Sequence, residues 1–119
     1  VGYGIEQHFS IFDERDMGTK KVIAVGGGTK NASWLQSVSD ISGKAISTAE
    51  VSIGAAYGDA LIAALGVGFY KDSKELSNII KIKKTIQPDM ANYKKYQPYR
   101  EQYDRLYKAT KDIMLQYSV

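Results

Sequence analysis

The chain has 119 residues, 44% of them hydrophobic, a formal net charge of +3 and no cysteine. That is one domain's worth of globular protein, able to bury a core but small for a complete metabolic enzyme. The lack of cysteine excludes disulfides, thiolate metal sites and a cysteine nucleophile, and it fits a reducing compartment, so a cytoplasmic location is expected. No basic segment followed by an apolar one opens the chain. The least polar run, 53–70, is interrupted by Asp59 and falls short of the roughly 20 strongly apolar residues a membrane span needs. No membrane partner is therefore expected. The first residue is Val1 rather than an initiator methionine, so the chain is read as a piece of a longer protein.

Ile5, Phe9 and Phe12 recur at helical intervals, predicting an amphipathic helix over 3–16 that Gly18 stops. Val22 to Val25 is a short run without polar residues, as expected of a buried strand in a parallel sheet. It runs straight into Gly26, Gly27 and Gly28, which carry no Cβ and so leave backbone N–H groups open to a phosphate or a nucleoside. Asn31 is placed to cap the next helix, in which Leu35, Val38 and Ile41 repeat until Gly43 closes it. Trp34 and Leu35 are expected to cover the sheet.

Residues 44–48 alternate as a second strand, and the polar run through Glu50 and Ser52 leads to a helix from Gly54 to about Gly68. Its many glycines and alanines suggest tight packing on the sheet, with direct ligand contact as the alternative. Asp72 to Glu75 reads as the cap of a short helix to about Ile80. Residues 81–89 read as a charged linker. Pro98 suits the first turn of a last helix, whose Tyr99, Tyr103, Leu106, Tyr107, Ile113, Met114 and Tyr117 form a helical stripe. Because the tyrosines repeat helically they are assigned to packing, and nucleic-acid binding through them and the neighbouring lysines is not expected.

Two nucleotide chemistries fit the glycines. Residues 26–31 can be written G-x-G-x-x-N, near the dinucleotide fingerprint, with Glu50 about where an acidic residue holds a ribose. Asn31 stands where that fingerprint has its third glycine, and helices follow where a dinucleotide fold would continue its strands. His8, the single histidine, has no sequence partner for catalysis or metal binding. Asp13, Asp16, Asp40, Asp59 and Asp89 read as surface, capping or helix-end carboxylates. Lys30 could neutralise a phosphate, or stand in solvent.

Residues 22–36 (VIAVGGGTKNASWLQ), 40–44 (DISGK) and 54–64 (GAAYGDALIAA), in this order and spacing, resemble the C-terminal domain of the FGGY family of carbohydrate kinases. The preceding helix and the tail 96–107 (YQPYREQYDRLY) resemble its flanking helices. The tail is most similar to the xylulose kinases of that family, and gluconate and ribulose kinases share parts of it.

The resemblance implies an α/β fold, part of an actin-like ATPase domain of the ribonuclease H-like type. Residues 1–119 would be the C-terminal portion of the ATP-binding domain. It also implies a reaction in which the γ-phosphoryl of MgATP passes to a sugar hydroxyl. Gly26 and Gly27 would lie under the nucleotide, Gly27 offering its N–H to the phosphate side. Gly28 would keep the turn open, and Asn31 would contact the adenosine end.

No position matches the family's catalytic aspartate, most of its sugar contacts or a metal ligand, so the chain alone is expected to be inactive. Homodimerisation, or self-association through an uncovered apolar face, is expected. The alternative from another class is a non-catalytic nucleotide-binding or interaction module, and a third is the NAD-binding domain.

Overall fold

The computed structural model describes residues 1–19, 21–51 and 54–117, and Ser52, which ends the polar run before the third helix, lies outside them. Helix α1, Gly2–Glu14, is followed by strand β1, Val22–Ala24, a 3-10 turn at Gly27–Lys30 and helix α2, Ala32–Ser42. Strand β2, Ile46–Ala49, then leads to helices α3, Gly54–Gly66, and α4, Ser73–Ile79. Strand β3, Ile82–Ile86, and the long helix α5, Met90–Gln116, complete an α/β fold. The sheet order is β1-β2-β3, with β1 parallel and β3 antiparallel to β2.

The core lies between α2 and the sheet. Leu35 and Val38 of α2 meet Ile46 of β2 and Ile86 of β3, with Ile5, Val22, Ala24 and Trp34 packed around them. Trp34 and Leu35 thus cover the sheet as their spacing predicts. All four residues of β2 are buried, as befits the central strand, whereas β1 is half-buried and not the buried strand expected. The reason is its place at the sheet's edge. Val25 falls beyond the strand and is exposed.

Both ends of α2 follow local chemistry. The Asn31 side chain accepts from the Trp34 N–H at 3.0 Å, satisfying one of the helix's orphan donors. At the other end Gly43 takes φ 67°, and a Cβ there would meet the Tyr93 ring at 2.9 Å. Only glycine suits both the left-handed backbone and the close ring.

Helix α1 ends differently from the reading that gave the stop to Gly18. Asp16 adopts φ 54°, Asp16 N–H donates to the Asp13 carbonyl at 3.2 Å, and Met17 N–H reaches back to the Phe12 carbonyl at 2.9 Å. This paired closure ends the helix with a left-handed aspartate, a conformation Asp tolerates better than most residues, and leaves Gly18 outside it.

Residues 81–89 are not a linker. Within them β3 pairs Ile46 with Ile86, Ser47 with Thr85 and Thr48 with Lys84, with an irregularity at Thr48/Ala49. Its lysines hid the strand because they sit on an exposed edge, where charge discourages further strand pairing. Correspondingly, α5 begins earlier than the proline suggests. Asp89 caps it by accepting from Ala91 N–H at 2.8 Å and Asn92 N–H at 3.3 Å, and Pro98 lies inside the helix, not in its first turn. Asp72 caps α4 in the same way, as expected.

The tyrosine stripe of α5 packs over only part of its length. Tyr3 of α1 stacks on Tyr103 at 5.6 Å between centroids and meets Tyr96 edge-on at 6.4 Å. Tyr99, though it lies between these two in sequence, is exposed, as are Leu106, Tyr107, Ile113, Met114 and Tyr117 further along the helix.

Candidate functional site

The glycine turn sits at the carboxyl end of β1, the position where open α/β sheets present ligands. Gly26 takes φ 88° and ψ −172°, a combination essentially restricted to glycine. Its carbonyl accepts from the Thr29 N–H at 3.2 Å and the Thr29 hydroxyl at 2.7 Å, and Asn31 N–H closes on the Gly28 carbonyl at 3.1 Å. These bonds fix the turn. The N–H groups of Gly27 and Gly28 donate to nothing among the described residues, and both residues are exposed.

The three glycines have different reasons to be glycine. At Gly27 an added Cβ would meet nothing within 4 Å, so its bareness opens the turn outwards. At Gly28 it would lie 3.1 Å from Trp34 Cζ3, so this position lets the indole pack against the turn. Gly26 is dictated by its backbone angles. The turn therefore presents two free amides at the start of a helix, an arrangement suited to an anion. Asn31, three residues further, is exposed and directs its side-chain oxygen to its own helix.

Two cavities flank the turn. One, of about 280 Å³, lies beneath α3 and is mostly apolar, with Ile23, Val25, Gly54, Tyr57, Leu61 and Ile80 in its wall. The tight helix–sheet packing expected of α3 does not occur: none of its residues is buried. Tyr57 and Leu61 reach the cavity wall and are half-buried there, while the alanines and glycines of the helix leave the space unfilled. Gly54 nevertheless comes close to the turn, a Cβ there lying 3.9 Å from Gly26 Cα. The other cavity, of about 450 Å³, opens on the α2 side, between the turn and β3.

Away from the turn, Asp40 lies in the last turn of α2, as expected of a helix-end carboxylate, but it is a buried anchor and not a surface group. It is 3% exposed and accepts from Asp89 N–H at 2.8 Å, Gln36 Nε2 at 2.7 Å and Asn92 Nδ2 at 3.0 Å. Burial alone would raise its pKa, but the three donors outweigh that and hold it below the ordinary carboxylate range. Asp40 thus ties α2 to the start of α5. Asp13 pairs with Lys44 at 2.9 Å, and that hydrogen bond, against a smaller desolvation effect, lowers its pKa. Glu6, also buried, accepts from Ser10 Oγ at 2.7 Å and lies 2.7 Å from Arg100 Nε, close but not aligned as a hydrogen bond. His8 is exposed, with Nδ1 at 2.7 Å from the Gly4 carbonyl of its own helix.

Among the described residues no three His, Cys, Asp or Glu gather as a metal site, and no helix is long and apolar enough to cross a membrane. The sequence reading missed Lys83 and Lys84 beside the turn because it took their strand for a linker. No local pattern marks the strand, since an interval of four between Ile82 and Ile86 fits a helix as well as a strand.

A strand, a glycine turn fixed by its own hydrogen bonds and a capped helix leave two backbone amides open to a ligand. The sequence model of the FGGY family of carbohydrate kinases, C-terminal domain, matches residues 1–67, and the chain belongs to that family. It is 29% identical over 114 residues to xylulose kinase of Bacillus subtilis (strain 168), covering 95% of this chain and 23% of that protein. It is 32% identical over 108 residues to xylulose kinase of Staphylococcus xylosus, covering 90% of this chain and 22% of that one. The crystal structure of xylulose kinase from Rhodospirillum rubrum superposes with a TM-score of 0.75 at 20% identity, covering 94% of this chain and 23% of the other. The chain therefore spans less than a quarter of the length of these relatives.

Proposed function

We propose that this chain is the C-terminal portion of the ATP-binding domain of a sugar kinase, 1–119, within an actin-like ATPase domain of the ribonuclease H-like type. The whole protein would transfer the γ-phosphoryl of MgATP to a hydroxyl of xylulose or a related sugar. The sugar would be bound mainly outside this chain. The observation that carries the reading is the glycine turn at the carboxyl end of β1, where the Gly27 and Gly28 amides donate to no group among the described residues and the space beside Gly27 is clear.

On this reading Gly26 shapes the turn, Gly27 and Gly28 offer N–H groups to the phosphate side of the nucleotide, and Asn31 borders its adenosine end. The residues fit such a ligand because the space above Gly27 is clear and the backbone donors are already fixed, so little ordering is needed on binding. Bound MgATP supplies the transferable phosphoryl group and the metal that offsets its charge. No residue here is assigned as the base that accepts the sugar's proton, and none as a ligand of the metal.

Calorimetric titration with ATP, ADP and NAD tests the reading. ATP or ADP should bind more tightly than NAD, and Gly27→Val, which fills the clear space, should abolish nucleotide binding without changing the melting temperature. Tighter binding of NAD, or an unaffected Gly27→Val variant, would refute it. The isolated 119 residues should release no ADP from MgATP in the presence of pentuloses or aldonates. Turnover at an enzymatic rate would place the whole active site in this chain.

A further inference from the structure

The peptide between Gly26 and Gly27 has a freedom that the rest of the turn lacks. Neither residue carries a Cβ to oppose rotation of the plane between them, and a Cβ built at either would meet nothing within 4 Å, so packing does not hold it. Further along, the turn is held. A Cβ at Gly28 would meet Trp34 at 3.1 Å, the Gly28 carbonyl accepts from the Asn31 N–H at 3.1 Å, and Asn31 caps α2 through the Trp34 N–H.

Thr29 supplies the restraint that the two glycines omit. Its N–H and its hydroxyl both donate to the Gly26 carbonyl, at 3.2 Å and 2.7 Å. The first bond opens the 3-10 turn and needs only a backbone N–H, which every residue but proline has. The second needs a hydroxyl, and it is the shorter of the two and partly buried.

A trans peptide is planar, with its carbonyl and its N–H pointing opposite ways. No peptide among the described residues is cis, so a Gly26 carbonyl held on Thr29 turns the Gly27 N–H away from Thr29. Were that plane to swing over, the carbonyl would stand where the N–H stands now. An anion would then meet a lone pair in place of a donor.

We propose that Thr29 is a positioning residue, whose hydroxyl locks the peptide between Gly26 and Gly27 so that the Gly27 N–H stays aimed at the phosphate side of the bound nucleotide. The proposal rests on the nucleotide reading of the turn and adds to it the side chain that keeps the donor aimed. A hydroxyl that merely braced the turn would alter its stability and leave ligand discrimination alone.

The experiment compares wild type, Thr29→Val and Thr29→Ser in the protein at its full natural length. Valine keeps the branched shape and loses the hydroxyl, whereas serine keeps the hydroxyl. In calorimetric titration Thr29→Val should weaken ADP binding about fivefold, the effect of one lost hydrogen bond, and Thr29→Ser should restore it. Adenosine has no phosphate to meet that N–H, so its affinity should not change. In the nucleotide-free protein, NMR with isotope-labelled glycine should show the Gly27 amide resonance shifted or broadened in Thr29→Val, as the freed peptide samples the flipped plane, and restored in Thr29→Ser.

Equal ADP affinity in wild type and Thr29→Val, an equal loss for ADP and adenosine, or an unchanged Gly27 resonance overturns the proposal and leaves the nucleotide reading in place. A fall in melting temperature with no other change assigns the hydroxyl to stability alone, and overturns it too. Wild type that binds neither ADP nor adenosine overturns the nucleotide reading, and the role of Thr29 falls with it.

Discussion

Helices α2 and α3 each follow a parallel strand, yet they relate to the sheet in opposite ways. Helix α2 buries Leu35, Val38, Ser39, Asp40 and Ile41, whereas α3 buries none of its residues and stands over an apolar cavity. The difference is how much of the gap the facing side chains fill. Leucine, valine and isoleucine on one face of α2 span the gap to β2 and β3, while the alanines and glycines of α3 fill too little volume to do so. Helical periodicity therefore predicts that a helix forms, but the volume its facing side chains fill decides whether it becomes a wall of the core or the lid of a space.

The largest effect is expected at Leu35. Leu35→Ala should cost about 2–5 kcal/mol, the range for truncating a buried leucine, while Leu61→Ala, half-buried at the cavity wall in α3, should cost less than about 1 kcal/mol. Chemical denaturation of both variants measures the contrast, and equal losses would show that α3 is as tightly packed as α2.

Next in size is Asp40→Ala, expected to cost about 2–3 kcal/mol because it leaves the Asp89 N–H, Gln36 and Asn92 donors without their buried acceptor. Its sign with pH follows from its lowered pKa. The folded value lies below the unfolded value near 3.8, so the contribution is complete above that value and is lost as pH falls through it towards the folded one. Acid denaturation should accordingly be steeper for wild type than for Asp40→Asn. Parallel profiles would remove Asp40 from the acid response.

A smaller effect is expected at the end of α2. Gly43→Ala should cost about 1–2 kcal/mol, since the left-handed φ and the Tyr93 ring both oppose a Cβ. A parallel Tyr93→Ala background separates the two causes, because the ring's share vanishes there and the backbone's does not. The smallest change belongs to α3: Ile62→Ser, at a residue 67% exposed, should stay within about 0.5 kcal/mol. A larger loss would mean that a partner surface covers this helix.

Some of this was legible because it is local. Asn31, Asp72 and Gly43 announced their helix ends by their own capping chemistry, and the glycines announced an open turn by lacking Cβ. The strand β3, the buried role of Asp40 and the start of α5 were not legible. Each depends on groups distant in sequence: Ile86 is a strand residue because Ile46 is opposite it, and Asp40 is an anchor because Asn92 and the Asp89 amide come to it.

Helices α1 to α4, the capped entry to α2, the glycine turn and membership of a carbohydrate kinase family follow from local order, because periodicity, capping and motif order are carried by neighbouring residues. Tertiary structure decided the rest. It alone converted a lysine-rich stretch into an edge strand, set those lysines beside the turn, left α3 above a cavity and sank Asp40 among three donors, since long-range pairing and packing bring together residues that no local pattern relates.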